Sequence, residues 1–128
     1  MILVDTSVLI DCLRSKDARL LDQLRDLDAA ICGTTRAEIL AGARDSHHRQ
    51  RLLEILETLA QIATSDSLWD EIGDALAALR RAGITVPFTD VIIAAMSIAS
   101  GLPLWTRDKQ FKLIRQVLSN LELLEESQ

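Results

Sequence analysis

Aromatic residues are nearly missing from this chain: it has no tyrosine, and Trp69, Trp105, Phe88 and Phe111 are its whole supply. Such poverty argues against a base-stacking platform of the kind single-strand binders use. Cysteine is as scarce. Cys12 and Cys32 stand apart with no C-x-x-C pair, which makes no disulfide scaffold and fits a reducing cytoplasm. No stretch reaches the ~18 consecutive apolar residues of a membrane span, and no basic segment precedes an apolar one at the start, so neither membrane insertion nor an export signal is expected. Net positive charge is lacking too. At −5 the chain does not have the basic surface that broad, unspecific nucleic-acid binding relies on, and only a local basic patch could serve. The two histidines, His47 and His48, sit together in a polar turn without a further ligand at zinc spacing. Neither a P-loop, a G-x-G-x-x-G fingerprint nor a G-x-S-x-G elbow occurs.

What remains is ordinary for a globular protein, with 48% hydrophobic and 26% charged residues over 128 positions. That length suits one domain, residues 1–128, burying roughly two thirds of its unfolded surface. The organising stretch is the beginning. Ile2, Leu3 and Val4 form an apolar run too short for a helix and without alternation, as in a parallel strand covered on both faces. Asp5 ends it, followed by Thr6 and Ser7, both able to cap a helix, which places an acid where open α/β sheets carry their chemistry.

Helices are then expected from about Ser7 to Arg14 and from Asp17 onward, the second with Leu20, Leu21, Leu24 and Leu27 on one face. Ala29 to Cys32 reads as the second strand, stopped by Gly33, and Thr34 and Thr35 begin a helix to about Ala43. Another helix runs roughly from His48 to Leu59, and Ile62 marks a weak third strand. Asp66 and Ser67 offer caps for the longest helix, which ends at Gly83. Val91 to Ala99 is apolar all round and predicts a buried helix closed by Gly101 and Pro103. Leu104 to Thr106 is the fourth strand, Asp108 opens a short helix holding Phe111 and Ile114, and Leu121 to Leu124 reads as a last edge strand. Helices alternating with short apolar strands predict an α/β domain with a parallel sheet between helical layers.

Asp5, Glu38, Asp90 and Asp108 share one property: each lies at or in the first turn of an expected helix. Singly, each reads as a cap, since acids there gain roughly 0.3–1 kcal/mol from the dipole, and Glu38 completes a Thr35-x-x-Glu38 capping box. Gathered, four carboxylates would repel one another and raise some of their pKa values unless a cation were present. Oxygen ligands without His or Cys suit Mg²⁺ or Mn²⁺.

The opening Val-Asp-Thr-Ser-Val-Leu-Ile-Asp, the central Thr-Arg-Ala-Glu-Ile-Leu-Ala-Gly-Ala-Arg, the later Phe-Thr-Asp-Val-Ile-Ile-Ala-Ala and the final Leu-Trp-Thr-Arg-Asp-Lys-Gln-Phe together resemble a PIN-domain ribonuclease of the VapC toxin type. The likeness runs from Ile2 to about Leu124 in the right order. It implies a three-layer α/β/α fold with a parallel sheet in the order 3-2-1-4-5 and acids at its carboxyl edge. It matches Asp5, Glu38, Asp90 and Asp108 to the family's four acids, which hold Mg²⁺ or Mn²⁺, with Asp5 and Asp90 as the most direct ligands. Thr6 and Thr106 match hydroxyl positions beside the acids, and Arg107 is expected to meet a substrate phosphate. Trp105 stands where a smaller aliphatic residue is more usual and is expected to narrow the pocket floor.

The implied activity is metal-dependent hydrolysis of RNA by water in line with the leaving 3′ oxygen, giving 5′-phosphate and 3′-hydroxyl ends. No histidine base is needed for that route. The implied partners are an RNA substrate, a cognate antitoxin and a second copy in a homodimer, with no membrane and a cytoplasmic setting. A Mg²⁺-dependent phosphatase is the alternative enzyme, weakened because Ser7 takes the second acid's place in Asp-x-Asp; a non-catalytic module with this fold is the other, and loss of an acid would have favoured it. Asp11 reads as a solvated residue rather than a rim contact. Arg36, Arg44, Arg49, Arg51 and Lys109 are candidates for a local RNA-facing patch, against the commoner reading of a solvated face.

Overall fold

The computed structural model describes residues 1–15 and 18–126. Three hydrophobic residues build its central strand, β1 (Ile2–Val4), whose ladder continues through the Asp5 N–H to the Trp105 carbonyl at 2.9 Å. Around it stand β2 (Ala29–Cys32), β3 (Ala60–Ile62) and β4 (Leu104–Trp105), all parallel, in the order β3-β2-β1-β4. Side chains alternate faces along each strand, so the runs divide between two half-cores. Leu3, Ala30, Cys32 and Leu104 face one half; Ile2, Val4, Ala29, Ile31 and Trp105 face the other.

The second half-core is covered by α1 (Thr6–Arg14), α2 (Ala18–Asp26) and α4 (Ser46–Glu57), with Ile39 of α3 (Gly33–Ala41). On the first lie α5 (Asp66–Arg81), α6 (Phe88–Ser100) and α7 (Gln110–Val117). The expected layers are therefore present. α6 is the buried helix its composition predicts, with every residue from Asp90 to Ser97 hidden. Both α5 and α6 close on a left-handed glycine, Gly83 (φ 74°) and Gly101 (φ 68°). At each, the next residue's N–H reaches back into the helix, Ile84 to the Leu79 carbonyl and Leu102 to that of Ser97.

The fifth strand does not form. Leu121 to Leu124 lies beside β4 but makes a single parallel bridge, Leu104 to Leu123, with Leu104 N–H bonded to Glu122 and Leu124 N–H to Leu104. β4 is two residues long rather than three, so it offers that segment little to pair with. Asp17, the expected start of α2, lies outside the described residues. Leu27 falls in the turn after α2 and is 37% exposed, off the apolar face predicted for it. Asp28 takes a left-handed turn there (φ 53°), a conformation Asp tolerates through its short polar side chain. α5 begins behind Ser65, one residue before the expected caps. Among the described residues no helix is long and apolar enough to cross a membrane.

Candidate active site at the carboxyl edge of the sheet

β1 and β4 end side by side, and the residues just beyond them are tied together. Asp5 caps α1 in extended conformation (φ −75°, ψ 155°), so Thr6 is the first helical residue. The Asp5 Oδ2 atom accepts from Ser7 Oγ at 2.6 Å, from Thr106 Oγ1 at 2.8 Å and from the Ser7 N–H at 3.4 Å. Thr106 Oγ1 in turn accepts from the Asp108 N–H at 3.0 Å, and Ser7 Oγ from the Arg107 N–H at 3.0 Å. Two short hydroxyls thus fix Asp5 and Asp108 relative to each other across the sheet. Asp108 Oδ1 takes the Gln110 N–H at the start of α7.

Glu38 approaches from α3. The expected capping box is absent, because α3 begins at Gly33 behind Cys32 and Thr35 is already in its first turn. With that role gone, Glu38 Oε1 accepts from the Thr6 hydroxyl at 2.9 Å, and Thr6 also lies 3.4 Å from the buried Thr35 hydroxyl. Asp90 arrives from the first turn of α6, carried there by the rigid Pro87 before it. The residue is 9% exposed, and its Oδ2 is buried with no hydrogen-bond partner. Burial, followed by the charges of Asp5, Asp108 and Glu38, pushes its pKa up to about 7 from the ordinary 3.8. All four acids predicted from sequence therefore share one electrostatic neighbourhood.

They do not form a closed ligand shell. Among the described residues no three acid, histidine or cysteine side chains could hold a metal ion as they stand. Like charges separate when nothing positive lies between them, so a cation here requires the acids to close in. The donor chemistry nonetheless suits a hard divalent ion, being all oxygen, with one buried oxygen that no N–H or O–H serves.

Arg107 is placed differently from expectation. Its guanidinium is clasped by Asp11 (Nη1 to Oδ2, 2.9 Å) and Glu126 (Nε to Oε1, 2.9 Å; Nη2 to Oε2, 3.3 Å), and these acids hold its pKa above the ordinary arginine range. Arg107 holds Glu126 below the usual carboxylate range in return. Asp11 is accordingly an ion-pair partner whose side chain still stands 47% exposed to solvent. Trp105 donates its ring N–H to the same Glu126 oxygen at 2.7 Å, and its ring is 2% exposed in the half-core beside α1, so its bulk fills core. His48 serves its own turn, accepting the Arg44 N–H on Nδ1 and donating its backbone N–H to Asp45. Ser7 is the site residue sequence reasoning undervalued. Its position two residues after an acid at a helix start was the available signal, since a hydroxyl there can turn back onto the cap.

Comparison with known proteins agrees with this geometry. The PIN domain family matches residues 2–117. "Ribonuclease VapC32" of Mycobacterium tuberculosis is 34% identical over 115 residues, 88% of either chain. "Ribonuclease VapC1" of Methanocaldococcus jannaschii is 32% identical over 111 residues, 85% of this chain and 76% of that one. Among solved structures, VapBC2 from Rickettsia felis bound to a promoter DNA fragment superposes with a TM-score of 0.82 at 24% identity, covering 97% of this chain and 98% of that one. A central parallel sheet between helical layers, four acids at its carboxyl edge and a family match over nearly the full length lead to one statement: the chain belongs to the PIN domain family.

Proposed function

We propose that this protein is an endoribonuclease of the VapC kind, hydrolysing RNA phosphodiesters as the toxin of a toxin–antitoxin pair, with Asp5, Glu38, Asp90 and Asp108 as its catalytic acids. The supporting observation is the buried, unpartnered Asp90 Oδ2 facing three further acids. An acid so placed is expensive for a fold unless it meets positive charge. Mg²⁺ or Mn²⁺ is the fitting cofactor, and when bound it would lower the pKa of a water and stabilise charge on the departing 3′ oxygen.

The chain's own residues divide the remaining work. Asp90 and Asp5 would hold the cation most directly, Asp5 through Oδ1, because its donors all fall on Oδ2. Thr106 and Ser7 keep the Asp5 carboxylate from turning and carry Asp108 with it. Thr6 orients Glu38. Arg107 reaches a phosphate only by leaving Asp11 and Glu126, so its first role is to anchor the loop between β4 and α7. Cleavage by water leaves 5′-phosphate and 3′-hydroxyl ends. An antitoxin partner follows from the relatives' assemblies, since solved neighbours of this fold are toxin–antitoxin complexes. A homodimer and a cytoplasmic setting belong to the same proposal.

The experiment is cleavage of a structured RNA by purified protein. Cleavage is expected with Mg²⁺ or Mn²⁺ and not in EDTA, and Asp5→Asn or Asp90→Asn should lower the rate by roughly a thousandfold, the scale of losing a group that stabilises transition-state charge. Undiminished cleavage in EDTA, or an active Asp90→Asn variant, would end the reading.

A further inference from the structure

One cleft of about 460 Å³ opens beside Asp108, between α7 and the segment after it. One wall carries Lys109, Lys112 and Arg115, spaced three residues apart and thus along one side of α7, about 9 Å in all. Lys109 has helical backbone angles (φ −64°, ψ −20°), so the row continues through the helix start. No acid pairs with any of the three among the described residues. Such a row of like charges is self-repelling.

The opposite wall explains why the row stays unneutralised. Glu126 borders the same cleft, but its carboxylate is taken by Arg107 and Trp105. Glu125 borders the cleft as well and pairs with none of the three, so once Arg107 and Glu126 cancel one another, Lys109, Lys112 and Arg115 outnumber the remaining acids, Asp108 and Glu125, by one. In a chain of net charge −5 this is a local reversal beside one of the four acids. Arg115 is half-buried rather than free in solvent, and Leu123 lends an apolar surface across from it.

We propose that Lys109, Lys112 and Arg115 form a phosphate track that holds the RNA strand next to the scissile bond on the Asp108 side. The inference rests on the ribonuclease reading and adds to it the direction the substrate takes. Cations along a cleft bind a single strand through its backbone, independent of base identity, and bases lie against apolar wall residues. None of the three touches the reacting atoms; they position the strand.

The test is the full-length K112A/R115A variant beside wild type, with folding checked by melting temperature. Expected are a KM for RNA cleavage about tenfold higher, a kcat within about twofold, and a salt dependence of kcat/KM shallower by about 1.4 in the log–log slope, some 0.7 for each lost phosphate contact. K112R/R115K should restore the wild-type KM. An unchanged KM and slope, or a loss confined to kcat, overturns the track. Should the double variant unfold, the exposed Lys112→Ala change alone should give about half the slope change, and an unchanged slope overturns it.

Binding of a labelled single-stranded RNA to metal-free protein separates this proposal from the previous one. RNA bound by wild type and released by K112A/R115A, in a protein that cleaves nothing, supports the track while the nuclease reading fails. RNA binding that survives the substitutions while oligoglutamate binding is lost overturns it in favour of an acidic peptide.

Discussion

Asp5 and Asp90 are hidden to similar degrees, 3% and 9% exposed, yet the protein treats them in opposite ways. Asp5 collects three donors on one oxygen, from Ser7 and Thr106. Asp90 is held among acids with a buried oxygen that nothing serves. Burial alone does not determine what an acid costs the fold; the supply of donors and neighbouring charge does. The contrast fits a site in which one carboxylate is a fixed post and the other waits for a cation.

The largest expected effect is that of the cation itself. At pH 8, magnesium at a hundred times its dissociation constant should stabilise the protein by about 2.7 kcal/mol, read as a rise in melting temperature. At pH 5, with Asp90 protonated, the rise should be much smaller. Equal shifts at both pH values would mean that Asp90 is not a ligand.

The next effect concerns the cation-free protein. Asp90 holds its proton more tightly folded than unfolded, so its contribution to stability is fully present below pH 3.8 and is lost as pH rises through about 7. Asp90→Asn removes that loss and should stabilise the cation-free protein at pH 8 by on the order of 1–3 kcal/mol, with little effect at pH 4. Asp5→Asn should show no such gain, because it disturbs a carboxylate already served by donors. Urea titration of both variants at the two pH values decides the matter, and a stabilising Asp5→Asn would erase the distinction.

The smallest effect tests the post. Thr106→Val deletes the donor to Asp5 and the acceptor of the Asp108 N–H, and should cost about 1 kcal/mol, together with a rise in the magnesium concentration needed for half-maximal cleavage. A loss of stability without any change in magnesium dependence would leave Thr106 as packing alone.

Local pattern marked Asp5, Asp90 and Asp108, each of which follows an apolar run or stands near a helix start, and the resemblance to the family's motifs joined Glu38 to them. The same locality misled at Glu38: Thr35-x-x-Glu38 has the spacing of a capping box, but the helix begins two residues before Thr35 and frees Glu38 for the Thr6 hydroxyl. The ion pair of the solvated Asp11 was not legible because its partner, Arg107, is 96 residues away. Lys112 and Arg115 were not grouped with Arg36, Arg44, Arg49, Arg51 and Lys109, since a row on α7 gains meaning only from the cleft beside it and from Glu126 being occupied. The fifth strand was expected from an apolar run at Leu121 to Leu124, but a strand needs a neighbour of comparable length, and β4 has two residues.

Composition and periodicity by themselves determined the alternation of strand and helix, the two-faced burial of β1 and the fully buried α6, because these depend on residues near one another in the chain. Tertiary structure alone decided which acid receives donors and which is left bare, and which arginine is spent on an ion pair. Hydrogen bonds and charges act through space over a few ångströms, and only folding brings Ser7, Thr106, Asp90 and Glu126 within that range of their partners.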